Sequence, residues 1–537
     1  MSTNFINYSS EIEKFYFSPV LNLGYGIHTT QDYLNLYVFL GRTEIPDESI
    51  DPPEIILTPT KTKDILKNVI ALKKANLNDI SPVIQRIDWE ANTFYYSYNG
   101  DENQGIKGVD NKLIKPFYVR NRYDQVFKCL WNNITSYDSY EISNVSNNAT
   151  HYTITHQGGT FDVGSLITIG NVNPTDYNGT FKIVASSIGS ANVICSFQEQ
   201  YAMSANNYQS GGFIKQTVLT TEEPFLTTGT YSEDNIIKTS DGYKWKYLYT
   251  LDKGAKLKFF DTDWMPVQIK NLAKYPYSSN VGWGSIDVVN VINGGNGYTN
   301  GTNTVSILIS GDGSEFSAEA FVSNNVIQDI TVLNKGYDYT YANVSIIPET
   351  GYSGFGAELD FSVSPIGGHG FNLLEELYCK DVCTSVPFNK TDFYDDFYFN
   401  QVGILYNPYI STDIVNHSNS SFISCTTDMV VTSLGNPFTE GEIVYQGNSV
   451  DEFEFKATVL LFDSSNNYLS LINTFGTPKE NFELFGTTSS TVKIIRQVFP
   501  SLYIPNSGNI FYVENRLDEL NDVDSNKQVR ILINYKQ

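Results

Sequence analysis

The stretch Val288-Val-Asn-Val-Ile-Asn-Gly-Gly-Asn-Gly-Tyr-Thr299 lines up without a gap on Asp329-Ile-Thr-Val-Leu-Asn-Lys-Gly-Tyr-Asp-Tyr-Thr340, an offset of 41 residues. In each copy a run of β-branched and apolar residues meets Asn and Gly and then a Tyr, the pattern of a strand running into a turn. A second strand follows each time, Val305 to Ile309 and Val344 to Ile347. Two copies fall short of the three or more that a solenoid needs, so residues 285–364 read as a duplicated small β module.

Two further segments carry the same punctuation, with Gly, Asn and Asp breaking short alternating strands at intervals of about 8–12 residues. Residues 134–215 contain Leu166-Ile-Thr-Ile169 and Tyr177-Asn-Gly-Thr-Phe-Lys-Ile-Val184. Residues 421–496 contain Phe438-Thr-Glu-Gly-Glu-Ile-Val-Tyr445, Ala457-Thr-Val-Leu-Leu-Phe462 and Tyr468-Leu-Ser-Leu-Ile472, a meander able to close as a small barrel. What remains, 1–133, 216–284, 365–420 and 497–537, is a framework whose pieces meet in space if the insertions leave and return at surface turns. The fold class expected is mainly β: an α+β framework of antiparallel sheets with few helices, carrying three small inserted β domains. One amphipathic surface helix is predicted over Thr62 to Leu77, where Ile65, Leu66, Val69, Ile70 and Leu72 form a stripe among lysines. A second, short one is predicted from Asn372 to Cys379 after the Gly367-Gly-His-Gly370 turn.

Composition points the same way. The 37 Tyr and 33 Phe suit pleated surfaces better than helices. Setting 35 Lys+Arg against 59 Asp+Glu leaves a charge of −24, which disfavours a nucleic-acid reader, since phosphates need a basic face. Neither a secretory signal at Met1 to Ser10 nor a run of about 18 apolar residues is present, so no membrane partner is expected. Five Cys, sparse and odd in number, fit a reducing compartment and no disulfide framework.

Motifs of catalysis and metal binding fail on spacing. His28, His151, His156, His369 and His417 are scattered, and none sits in a nucleophile motif. Gly294-Gly-Asn-Gly-Tyr-Thr-Asn-Gly301 lacks the Lys-Ser/Thr of a phosphate loop and leads into a strand instead of a helix N-terminus. Cys379 and Cys383 would be half of a zinc site without a second pair. Asp522-x-Asp524-x-Asn526 begins like a calcium loop but has Lys527 and Ile533 where Gly and Glu are required. Asp395 and Asp396, adjacent in sequence, cannot face each other across a cleft as a glycosidase pair does. They fit a solvated loop before a strand over Phe399 to Tyr406. No catalytic, cofactor-binding or metal-binding residue is assigned, and no cofactor is expected.

Six stretches stand out from the framework: Phe39-Leu-Gly-Arg-Thr-Glu-Ile-Pro46, Val83-Ile-Gln-Arg-Ile-Asp-Trp89, Val126-Phe-Lys-Cys-Leu130, Asp241-Gly-Tyr-Lys-Trp-Lys-Tyr-Leu-Tyr249, Val402-Gly-Ile-Leu-Tyr-Asn-Pro408, and Gly508-Asn-Ile-Phe-Tyr-Val-Glu-Asn-Arg516 with Val529 to Asn534. In type and order they resemble the family of baseplate wedge proteins numbered eight in T-even-type contractile-tailed bacteriophages. The resemblance covers a little over half the chain. It implies a non-enzymatic structural subunit of a tail baseplate wedge, made in the host cytoplasm and carried in the virion, that forms a homodimer and contacts other wedge proteins. The three β insertions depart from the shorter family form. Physically, Asp241-Gly242 is a turn signal, after which Tyr243, Trp245, Tyr247 and Tyr249 alternate with Lys244, Lys246 and Leu248 on opposite faces of a strand. Glu514-Asn-Arg516 reads as a strand end that satisfies turn backbone and makes an ion pair. The alternative function is a glycan-binding adhesin or receptor-binding tail protein.

Overall fold

A computed structural model describes residues 35–43, 52–100, 102–108, 112–133, 140–148, 151–161, 163–164, 166–194, 207–227, 236–268, 284–365, 368–522 and 526–534. They are mostly strand, arranged in several antiparallel sheets and two closed six-stranded barrels, with three short α-helices. The chain divides into two compact units: Met1–Val83 with Lys380–Gln537, and Ile84–Cys379.

In chain order the first unit opens with β1 (Leu36–Gly41), α1 (Pro59–Lys67), β2 (Val69–Lys74) and the first four residues of β3 (Ile80–Gln85). The second holds β4 (Tyr118–Arg120), β5 (Gln125–Trp131), β6 (Tyr140–Asn148), β7 (His151–His156), β8 (Leu166–Gly170), β9 (Gly179–Ser187), β10 (Ser190–Ile194), β11 (Phe213–Gln216), β12 (Ile236–Lys238), β13 (Lys244–Thr250), α2 (Lys253–Phe259) and β14 (Trp264–Pro266). It continues with β15 (Val289–Asn296), β16 (Gly301–Gly311), β17 (Ser314–Ser323), β18 (Val326–Tyr337), β19 (Ala342–Pro348), β20 (Phe355–Phe361) and α3 (Leu373–Glu376). The first unit resumes with β21 (Asp381–Phe388), β22 (Phe397–Tyr406), β23 (Phe422–Ser424), β24 (Thr427–Val431), β25 (Ile443–Gly447), β26 (Phe453–Asp463), β27 (Tyr468–Gly476), β28 (Glu483–Gly486), β29 (Val492–Phe499), β30 (Asn509–Asn521) and β31 (Lys527–Asn534).

In the first unit, a five-stranded sheet runs β23-β2-β1-β22-β30. β1 sits at its centre and is buried on both faces, which is why its sequence, Leu-Tyr-Val-Phe-Leu-Gly, is a continuous apolar run. Phe39 lies directly opposite Gly403 of β22. A Cβ at Gly403 would stand 2.5 Å from the Phe39 ring and 2.3 Å from the Tyr512 carbonyl oxygen, so this sheet closes only around a glycine. β21 pairs with β3 on one side and β31 on the other. The strands from β24 to β29 close into a barrel around Met429, Val444, Phe455, Leu469, Leu471 and Ile495.

The helix expected over Thr62 to Leu77 is corrected. α1 starts earlier, capped by the Thr58 hydroxyl, which accepts the Lys61 N–H at 3.2 Å, with Pro59 in its first turn. It ends at Lys67, and Val69–Lys74 is a strand between β1 and β23. The short run Val69-Ile70-Ala71-Leu72 fits either period, and pairing on both sides decides for the strand. Lys73, read as a solvated helix residue, instead makes a 2.7 Å ion pair with Asp392, both largely buried. The second helix is present as the single turn α3, with the Asn372 side chain at its N-terminus. α2 has an Asp252 cap that accepts the Gly254 and Ala255 N–H groups, a signal that sequence reasoning passed over.

In the second unit, the sheet β12-β13-β5-β4 carries two of the six motif stretches. The strands from β6 to β11 close into the other barrel around Tyr152, Ile154, Ile167, Ile169, Ile183 and Ile214. Between β13 and α3 lies the duplicated module, in which β15 pairs with β20, β16 with β19, and β17 with β18.

Candidate functional site

The best-formed polar constellation among the described residues surrounds the motif strand β13. Its turn is held by Asp241, whose carboxylate accepts from the Thr239 hydroxyl at 2.5 Å, the Thr220 hydroxyl at 2.9 Å, and the N–H groups of Thr221 at 2.7 Å, Glu222 at 3.1 Å and Tyr243 at 3.2 Å. Burial opposes ionisation here, but these hydrogen bonds outweigh it and hold the carboxyl below its ordinary range. After the turn, Tyr243, Trp245 and Tyr247 pack with Tyr95, Phe127 and Cys129. Trp245 is fully buried, stacked on Tyr243 at 5.7 Å and edge-on to Tyr95 at 5.6 Å.

The alternation expected along β13 fails in two places. A register shift between Tyr247 and Tyr249 moves Tyr249 into the other cluster, beside Leu248, Phe117 and Met265. The opposite face is also buried, with Lys244 and Lys246 only 9% and 2% exposed. Lys244 donates to the Val289 carbonyl at 3.2 Å and stands 4.0 Å from Asp329. Burial is the main cause that pushes its ammonium down to about 8, with Lys238 adding to the effect and Asp329 opposing it. A solvent-open groove of about 580 Å³ follows this contact, lined by Lys238, Lys244, Asp287, Asp329, Thr331 and Lys335.

On the neighbouring strand β5, Lys128 is fully buried. Its ammonium makes an ion pair with Glu376 of α3, donates to His369 Nδ1 at 2.8 Å and lies 3.8 Å from the centre of the Tyr98 ring. Glu376 also accepts the Gly370 N–H, at 2.7 and 2.9 Å. With Nδ1 accepting, the neutral His369 ring carries its proton on Nε2, which faces Asp287 at 4.0 Å. Asp287 accepts the Ser285 hydroxyl at 2.9 Å and has Lys335 at 3.9 Å. Burial first, and then the cations of Lys128, Lys246 and Lys335, hold the His369 imidazole well below its usual value. Burial likewise lowers Lys128, against the pull of Glu376 and Asp287. In the chain Glu376–Lys128–His369–Asp287, Glu376, Lys128 and His369 are buried, and only Asp287, at its end, lines the groove. These contacts tie β5 and α3 to the segment that leads into β15.

The other singled-out residues stay apart. His156 is buried against Tyr140 and Phe161, and His417 packs on Tyr409, while His28 lies outside the described residues. Cys379 and Cys383 are buried thiols that form no disulfide. Among the described residues no group of three or more His, Cys, Asp or Glu is placed to hold a metal. The strand expected from Phe399 begins two residues earlier, at Phe397. Glu514 and Arg516 do pair, at 2.5 Å, but within the long strand β30 and not at its end, and Arg516 also donates to the Arg530 carbonyl at 2.5 Å. Sequence reasoning missed the Lys128 cluster. Its signal is a lone lysine inside Gln-Val-Phe-Lys-Cys-Leu-Trp, a run that has no solvent face to offer it. Comparison with models of known protein families and with curated proteins found no match.

Proposed function

We propose that the chain is a structural subunit of a contractile-tailed phage baseplate wedge, working as a homodimer that holds neighbouring wedge proteins. The observation that carries the reading is the ordered set of six motif stretches resembling that family. Their use in the fold supports it. Phe39 and Gly403 form one cross-strand pair in β1 and β22, and Lys128 and Trp245 lie on the adjacent strands β5 and β13. Arg86 and Asp88 pair at 2.5 Å within the second stretch, and Arg120, just before the third, reaches Asp88 at 2.7 Å. The shared residues thus build the framework cores, as a scaffold requires, while the insertions between them are free to vary in what they touch.

A dimer of two chains at −24 each carries −48, so its contact is apolar or lies away from the charge. Screening acts over about 10 Å at 0.1 M salt, weakens that repulsion and leaves apolar burial intact. Sedimentation of the purified chain across a salt series is therefore expected to show a dimer that persists or tightens as salt rises. A monomer at micromolar concentration in every buffer, or a dimer that falls apart with salt, overturns the interface. Co-sedimentation with the neighbouring wedge proteins tests the partner reading. Binding to a glycan array without such co-sedimentation would favour the adhesin instead.

A further inference from the structure

We infer that the 285–364 module is a fused homodimer. Each half, 285–323 and 326–364, offers a self-complementary surface whose partner is a second copy of itself. The warrant is the pairing register. In the β15–β20 ladder Val289 faces Phe361, Val291 faces Leu359, Asn293 faces Glu358 and Asn296 faces Phe355. Moving the first residue of each pair forward by 41 and the second back by 41 gives Ile330 with Ala320, Val332 with Ala318, Asn334 with Ser317, and Tyr337 with Ser314, which is the observed β18–β17 ladder. Even the irregularity recurs, between Val291 and Asn293 in one ladder and between Ser317 and Ala318, opposite Val332 and Asn334, in the other. The outer strands are therefore exchanged: each half lends its first strand to the third strand of the other.

Between the two ladders runs an axis. β16 and β19 pair antiparallel with Ser306 opposite Ile347, residues that are themselves 41 apart. This is the reciprocity of an isologous contact, in which residue i meets j and the counterpart of j meets the counterpart of i. Side chains obey it too. Tyr298 fills the space beside Gly354, where a Cβ would lie 2.0 Å from its ring, and its counterpart Tyr339 fills the space beside Gly313, where the figure is 2.4 Å. Asn293 accepts the Gly295 N–H at 2.9 Å, and Asn334 accepts the Gly336 N–H at 3.1 Å. The symmetry extends to the ends. Ser323 pairs with Val326 across the Asn324-Asn325 turn, and their counterparts Ser364 and Ser285 are hydrogen-bonded at the neck, Ser364 N–H to Ser285 carbonyl at 2.8 Å. One ladder breaks it, since β16 also pairs with β17 whereas β19 and β20 do not share a sheet.

The test uses the full chain with residues 326–364 replaced by a flexible Gly/Ser linker of about 30 residues, long enough to return across the module. Bearing Ser306→Cys, this chain is expected to form an interchain disulfide on oxidation, because each Ser306 position then faces its own copy across the axis. The intact chain with Ser306→Cys alone gives no such link. With Ser306→Cys and Ile347→Cys together it gives an intrachain one. A second variant repeats residues 285–323 in place of 326–364 and carries Ser306→Cys in both copies; it is expected to close an intrachain disulfide. The inference is overturned if the half-replaced chain forms no more interchain disulfide than the intact Ser306→Cys chain. It is equally overturned if the repeated-half chain fails to close its link.

Discussion

At the scale of single residues, the structure places charges where the chain must keep them satisfied or lose stability. Replacing Lys128 by Met leaves Glu376 buried with only the Gly370 N–H, and is expected to cost about 3–5 kcal/mol. The Lys128→Met, Glu376→Gln double variant should cost less than the two single changes summed, as denaturant midpoints of all three will show. His369 is held neutral, so its folded value lies below the unfolded one of about 6.5. The unfolded chain then takes up the proton first as pH falls. The contribution is intact above about pH 6.5 and is lost below it, by up to about 1.4 kcal/mol per pH unit. Lys244 behaves in the same sense at the alkaline end. With a folded value of about 8 against about 10.4 unfolded, its burial costs stability at neutral pH, and that cost is relieved as pH climbs through this window. Thermal midpoints of wild type should therefore gain relative to Lys244→Met between pH 8 and 10. A constant difference would show that the ammonium is not strained.

The elements show how far pattern reading reaches. Strand-and-turn punctuation identified the β character because it repeats within a dozen residues, and the 41-residue offset identified the duplication because the two stretches match without a gap. Local pattern failed where distant partners decide. Val69–Lys74 is a strand because β1 and β23 flank it, and the β13 bulge that turns Tyr249 away from Tyr243 answers to β5. The Lys128 cluster joins residues 241 and 248 positions apart, a separation no spacing rule spans. Gly403 is legible only after Phe39 is known to face it. Gly403→Val should consequently destabilise the first unit by at least about 1–3 kcal/mol, since neither the Phe39 ring nor the Tyr512 carbonyl has room to retreat. An unchanged melting curve would mean that the sheet opens there at little cost.

For the molecule as a whole, the module of residues 285–364 begins and ends at one place in its unit. The hydrogen-bonded neck at Ser285 and Ser364 makes removal of the duplicated module geometrically simple, and a chain lacking 285–364 with a short Gly/Ser joint should stay soluble. It should also melt earlier than wild type, because Asp287 leaves with the module while the buried His369 stays behind. Deletion also uncovers Lys244, whose neighbours Val289 and Asp329 leave, so the gain tied to Lys244 between pH 8 and 10 should disappear; insolubility of every such deletion would mean that the module belongs to the core of its unit. The neck has a meaning beyond stability. A segment whose two ends meet at the counterpart of its own internal turn can be excised from one gene and spliced into another at any surface hairpin, its host needing to supply no more than the two residues a turn would have occupied. Fusion of two copies would produce such a transplantable cassette in one step, with the splice point already built.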